Sequence, residues 1–224
     1  MSEVLVRADG LSRRFGHGPG SVVAPAQATF EIRQGDHIAL VGPSGCGKTT
    51  LLHLIAALDQ PSEGAIEWPG LGGAADLRPG PVAMAFQGPS LLPPLTVAEN
   101  VALPALLAGA PDGSAAAAAQ ALIERLGLSD VAWKLPEEIS GGQAQRAGVA
   151  RALMGEPRLI LADEPTGQLD RASAGELMDV LLQQAEAVGA ALMIATHDAT
   201  VAQRLPLRWT MTDRILQTGA PSWF

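Results

Sequence analysis

The chain has 224 residues, enough for one large domain or a core with a modest subdomain, and a 47% hydrophobic content that can fill a proper core. A formal charge of -8 with only 15 Lys and Arg argues against a general nucleic-acid binder, whose affinity for the phosphate backbone comes from clustered cations, so no nucleic-acid partner is expected. The single cysteine, Cys46, cannot form an internal disulfide and suits a reducing cytoplasm, and no apolar run reaches the roughly 18 residues of a membrane span.

Met1 to Gly10 carries Glu3, Arg7 and Asp9 among its apolar residues, which is not a signal-peptide pattern. Val4 to Ala8 and Ala28 to Ile32 read as strands, with Phe15 between them as a core or turn aromatic. Asp36 to Val41 is a third strand, running into Gly42-Pro43-Ser44-Gly45-Cys46-Gly47-Lys48-Thr49-Thr50 and then a helix from Lys48 to about Leu58. A breaker at 60–64, a strand at Ala65 to Trp68, a Gly/Pro/Asp loop at Leu71 to Pro81 and a strand at Val82 to Phe86 follow. From Gly88 to about Pro157 the pattern turns helical: Val97 to Leu107, an alanine-rich stretch from Ser114 to Leu126, and a helix opened by Ser140 that reaches about Met154. Arg158 to Ala162 is a buried strand, Ala172 to Val188 an amphipathic helix closed by Gly189, and Ala190 to Ala195 another apolar strand. Trp209 to Thr212 and Arg214 to Gln217 form a hairpin turning at Asp213.

Strands alternating with helices predict an α/β fold with a mainly parallel sheet, whose ligands sit beyond the carboxyl ends of its strands. The predicted organisation is a single domain, 1–224. Its core is 1–87 and 158–224, with an antiparallel β portion at its N-terminal end, and 88–157 is an inserted helical subdomain.

Strand, glycine loop and helix around Gly42 to Thr50 match the phosphate-binding P-loop. Gly42, Gly47, Lys48 and Thr49 stand at its defining positions: backbone N–H groups surround phosphate oxygens, the lysine reaches the outer phosphates and the hydroxyl ligates Mg²⁺. Small residues allow close approach to the anion. Cys46 is read as a small loop residue, because the chemistry of this loop uses no thiol.

Asp163 and Glu164 follow an apolar strand. An aspartate there can share Mg²⁺ with Thr49, and the adjacent glutamate can take a proton from the attacking water. Gln87 ends a strand, where its amide can meet the metal or its water, and His197 ends the strand beside the acids, where it can donate to a γ-phosphate oxygen. His17, His37 and His53 are read as structural. Ser140 and Gln143 spell a capping box, but a capping box does not need Gly141 and Gly142, and glycines at a helix start cost stability. They make sense where backbone must approach an anion, one not held by the chain's own P-loop, which suggests a second nucleotide shared across a dimer.

With Gly42 to Thr50, Gln87, Ile139-Ser140-Gly141-Gly142-Gln143, 159–165, 167–170 and His197 in family order, the sequence resembles the nucleotide-binding subunit of an ABC transporter over nearly its whole length. The resemblance implies an Mg²⁺-dependent ATPase in which two cassettes, alike or sister subunits, close head to tail around ATP. Ser140 and Gly142 of one then touch the γ-phosphate held at Lys48 of the other. It further implies that Phe15 stacks on adenine, that Asp170 lies at the dimer seam, and that a permease on a separate chain holds the protein at the cytoplasmic face of the membrane. The segment Gly88 to Leu95, with Leu91, Leu92 and Leu95, is either a docking surface for that permease or subdomain core.

The runs 163–170 and 99–104 resemble the branch with macrolide-efflux and lipoprotein-release ATPases, which favours export or lipid release. Gln168 stands where that branch usually has asparagine, Leu71 to Pro81 is shorter, and Ile139 replaces the commoner leucine. The alternatives are an importer ATPase, or a soluble ABC ATPase acting on ribosomes or DNA. The latter usually carries tandem cassettes or a long coiled coil, and neither is here. A GTPase of the Asn-Lys-x-Asp type is excluded, since Val101 follows the only asparagine, Asn100.

Overall fold

The computed structural model describes residues 2–88 and 90–219. Met1, in the leading segment, and Pro89, in the 88–95 segment, lie outside the described residues. In chain order the elements are β1 (Val4–Ser12), β2 (Arg14–Phe15), β3 (Val22–Val23), β4 (Ala28–Arg33), β5 (His37–Val41), α1 (Lys48–Ile55), β6 (Glu63–Glu67) and β7 (Val82–Ala85). Then come α2 (Val97–Leu107), α3 (Asp112–Arg125), α4 (Gly141–Leu153), β8 (Leu159–Asp163), α5 (Arg171–Val188), β9 (Ala191–Thr196), α6 (Ala199–Ala202), β10 (Leu207–Thr212) and β11 (Ile215–Gly219).

Six strands form the main sheet in the order β11-β10-β5-β9-β8-β7, parallel throughout except for β10 with β11. All residues of β8 and β9 are buried, as expected of parallel strands covered on both faces, which read as continuous apolar runs. Alternation sorts their side chains into two cores. Ile160, Ala162, Leu192 and Ile194 join a cluster with α2 to α5, whereas Leu159, Leu161, Met193 and Ala195 join one with α1, β1 and β4. Each fully buried Leu or Ile contributes about 1.5–3 kcal/mol, so the strands are firmly placed and their carboxyl ends line one edge. A separate antiparallel sheet, β4-β1-β6, supplies the N-terminal β portion.

Two local expectations differ from the structure, and an open alternative at 88–95 is divided by it. Helix α1 stops at Ile55, short of Leu58, because distant side chains take its last carbonyls: Trp68 Nε1 donates to Ile55 O at 2.8 Å and the Arg78 guanidinium to Ala56 O. Arg214 belongs to the hairpin turn, with φ 69°, and β10 is also a parallel partner of β5. Leu91 is buried, Leu95 half-buried, and only Leu92 of the three is exposed, at 43%. Asn100 fixes that segment: fully buried, it accepts from Leu92 N at 2.7 Å and donates to Leu92 O and Leu95 O.

Candidate active site

The ends of β5, β8 and β9 and the chain just beyond β7 meet around a cleft of ≈ 470 Å³. Phe15, Ser44, Gly45, Gly47, Lys48, Thr49, Thr50, Gln87, Asp163, Glu164 and His197 line it, so most of the residues expected of one chain's half of the site come together. Val22 and Ala24 line it too and had no signal in the sequence; β3 pairs with β2 and sets Val22 opposite Phe15.

The loop after β5 enters α1 at Gly47, whose φ of 110° is one that L side chains rarely adopt. No side chain caps the N-terminus of α1, which leaves its first-turn N–H groups at the cleft for an anion. Lys48 is buried, its Nζ donating to Gly42 O at 2.8 Å and Pro43 O at 3.1 Å. Gly42 has a role within the fold as well: a Cβ there would lie 2.1 Å from the Met211 carbonyl oxygen on β10. Cys46 is buried among the core residues under α1 and lies outside the cleft lining.

Asp163, 2% exposed, accepts from the Thr49 hydroxyl at 2.6 Å. Burial pushes its carboxyl above the ordinary value; the Thr49 bond pulls the other way and neighbouring Glu164 adds to the rise. Two hard oxygen donors side by side, one a buried carboxylate without a full counter-charge, fit a small divalent cation. Among the described residues no group of three or more His, Cys, Asp and Glu could cage a metal.

Glu164 follows in left-handed backbone, φ 46°, uncommon without a glycine and maintained only when surroundings hold it. Its N–H donates to Ala195 O at 2.9 Å, Thr196 Oγ1 lies 3.3 Å from Oε2, and His197 Nδ1 lies 2.8 Å from Oε1. A carboxylate only accepts, so Nδ1 carries a proton in that pair. The neutral ring then presents Nε2 as an acceptor, and donation to a phosphate oxygen requires the imidazolium. That qualifies the donor role read for His197 from the sequence. Thr196 is fully buried, and a threonine closing an apolar strand carries no signal of its own in the sequence.

Ser140, Gly141, Gly142 and Gln143 do not line this cleft. The capping box is formed: Gln143 N donates to Ser140 Oγ at 3.2 Å, and Ser140 N to Gln143 Oε1 at 2.9 Å. Beside the two glycines lies the loop before α5, where added Cβ atoms would meet Gln168 Oε1 and Leu169 Cδ2, each at 3.1 Å. Asp170 caps α5, accepting from Ala172 N and Ser173 N, each at 3.0 Å. The Ser173 N–H bond first, then the Ser173 hydroxyl, hold the Asp170 carboxyl below the ordinary value.

Residues 26–167 match the family described as ABC transporter. The lipoprotein-releasing system ATP-binding protein LolD of Gluconobacter oxydans (strain 621H) is 40% identical over 215 residues, with 93% of each chain covered. LolD of Shewanella sp. (strain MR-4) is 35% identical, covering 98% of each. The macrolide export ATP-binding/permease protein MacB of Vibrio parahaemolyticus is 40% identical over 97% of this chain and 33% of its own length. Among solved structures, the dimeric bacterial ABC transporter cassette MJ0796 superposes with a TM-score of 0.90 at 28% identity, covering 98% of this chain and all of that one. Its dimeric post-hydrolysis state bound to ADP and Pi superposes with a TM-score of 0.88, also at 28% identity, covering 96% and 98%. With the P-loop, the paired acids and the sheet edge that joins them, these likenesses show that the chain belongs to the ABC transporter family, as one of its ATPase cassettes.

Proposed function

We propose that the chain powers a separate membrane permease of the export or lipid-release type, by closing with a second cassette around ATP and separating after hydrolysis. The observation that carries the reading is a division of parts. One cleft gathers the P-loop, Asp163, Glu164 and His197, while the glycine-rich start of α4 lies outside it. A site split this way calls for a second copy or sister subunit, and the dimeric MJ0796 structures support that assembly. LolD is named as the ATP-binding protein of a lipoprotein-releasing system and MacB as a macrolide export ATP-binding/permease protein, which supports the branch.

In this reading Phe15 stacks on adenine, Lys48 turns from its two carbonyls to the outer phosphates, and the first turn of α1 with 42–50 surrounds them. Thr49, Asp163 and Gln87 would hold Mg²⁺, which when bound offsets charge on the phosphate oxygens. Glu164 takes a proton as the water oxygen bonds to the γ-phosphorus and the bond to the bridging oxygen of ADP breaks, giving ADP and phosphate. His197 orients Glu164 through Nδ1 and turns its other ring nitrogen toward the γ-phosphate. Ser140 to Gln143 of the partner cassette complete the phosphate's surroundings, and Asp170 sits at the seam.

The permease surface would be an apolar groove of ≈ 690 Å³ between the inserted segment, 88–157, which contributes Leu92, Leu103 and Leu107, and the core around 78–86. Among the described residues no helix is long and apolar enough to cross a membrane, so membrane attachment would come through the permease, at the cytoplasmic face.

Glu164→Gln tests the assignment. ATP binding should persist while turnover falls about 10²–10⁴-fold and an ATP-bound dimer accumulates on size exclusion. Near-normal turnover would remove Glu164 from the role of base.

A further inference from the structure

Three successive residues at and just past the end of β9 hold three atoms of Glu164: Ala195 its N–H, Thr196 its Oε2 and His197 its Oε1. The middle one is the least expected from packing. Leu192, Ile194 and Thr196 share one face of β9, and the first two lie in the apolar cluster with Ile160 and Ala162. Valine has nearly the same shape as threonine, so packing alone does not account for a hydroxyl there. Thr196 is 0% exposed, and a buried hydroxyl is costly unless it is bonded.

Both of its bonds are in place, and together they fix its direction. The Asp198 N–H donates to Thr196 Oγ1 at 3.0 Å, which occupies the oxygen as acceptor. The hydroxyl's one proton then goes to Glu164 Oε2 at 3.3 Å, since a carboxylate has nothing to donate. With His197 on the other oxygen, the carboxylate plane is held at both ends, on a residue whose left-handed backbone already needs external support.

We propose that Thr196 is a positioning residue for ATP hydrolysis: its hydroxyl fixes the orientation in which the Glu164 carboxylate meets the attacking water. The inference rests on the reading of Glu164 as the base. Thr196 touches no reacting atom, so its effect belongs in kcat and not in nucleotide affinity.

The test compares Thr196→Val, Thr196→Ala and Thr196→Ser in the full chain, following phosphate release, ATP affinity and ATP-dependent dimerisation. Loss of orientation should lower kcat about ten- to hundred-fold in the Val and Ala variants, with ATP affinity and dimerisation changed less than about twofold. Serine, which keeps the hydroxyl and drops the methyl, should stay within about threefold of the parent kcat. The proposal is overturned if Thr196→Val turns over like the parent, if serine is as impaired as valine, or if the defect lies in ATP affinity with kcat unchanged. Should Thr196→Val not fold, alanine against serine makes the same comparison, and equal turnover of those two overturns it. Glu164→Gln is assayed alongside. If that variant hydrolyses normally, the base assignment itself has failed; if it stalls while Thr196→Val does not, only the role of Thr196 has.

Discussion

Gly42→Ala should destabilise the protein before any nucleotide is added. Gly42 is the first residue after β5, and a Cβ built on it lies 2.1 Å from the Met211 carbonyl oxygen, 3.1 Å from the Met211 carbonyl carbon and 2.9 Å from Cys46 Sγ. Ordinary contacts to carbon begin near about 3.5 Å, so the worst overlap exceeds an ångström. A flexible side-chain tip could swing aside. The Met211 carbonyl cannot, because β10 is hydrogen-bonded to β5 on one side and to β11 on the other.

Inserting a carbon into packed structure costs about 1–3 kcal/mol, and an immovable backbone partner puts this site near ~3 kcal/mol. For a chain of this size each kcal/mol moves the melting temperature about 2–4 °C, so a drop of roughly 6–12 °C is expected. Circular-dichroism melts in buffer free of nucleotide and magnesium read it directly. If Gly42→Ala melts within about 2 °C of the parent while ATP affinity collapses, the glycine serves the anion alone and the packing account is refuted.

Phe15→Ala should weaken ATP binding about tenfold or more, since stacking a base on an aromatic ring contributes about 1–3 kcal/mol, whereas Phe15→Tyr should bind like the parent; calorimetric titration with ATP distinguishes them, and an unchanged affinity in the alanine variant removes Phe15 from the site. Leu92→Asp with Leu107→Asp, at positions 43% and 66% exposed, should leave ATP binding and melting unaltered while abolishing capture of the permease. Undiminished co-purification would place docking elsewhere.

The parts of this site that were legible in the sequence are those written into contiguous residues. The strand, loop and helix around Gly42 to Thr50 follow one another along the chain, and Asp163-Glu164 and His197 each close an apolar run long enough to be read as a buried strand. Two such runs both carry polar residues at their carboxyl ends, so a parallel sheet brings them to one edge, and β8 and β9 are neighbours as that required. What stayed hidden depends on residues far apart in sequence. The pairing of Phe15 with Val22, the capping of α1 by Trp68 and Arg78, and the approach of Met211 to Gly42 leave no periodicity or spacing to detect. Thr196 escaped for another reason: its β-branched shape suits a strand, and only its hydroxyl, seen against Glu164, shows a second role.

Gly42 also calibrates the reading of Gly141 and Gly142. There the nearest obstacles to an added Cβ are 3.1 Å away and are the ends of the Gln168 and Leu169 side chains, which can yield by a few tenths of an ångström. Against that small strain, alanine in a helix gains about 0.5–1 kcal/mol over glycine. Intrachain packing therefore does not require these glycines as it requires Gly42, in keeping with the proposed approach of a partner-bound phosphate. Gly142→Ala accordingly should melt within about 2–4 °C of the parent yet lose turnover by about a hundredfold or more, the scale of losing one donor to a charged transition state. Mixing it with a Lys48→Ala chain should regenerate at most one intact site per dimer, because each lesion damages the site that chain shares in a different half. If Gly142→Ala turns over normally, the start of α4 is only a helix cap and the split-site reading falls with it.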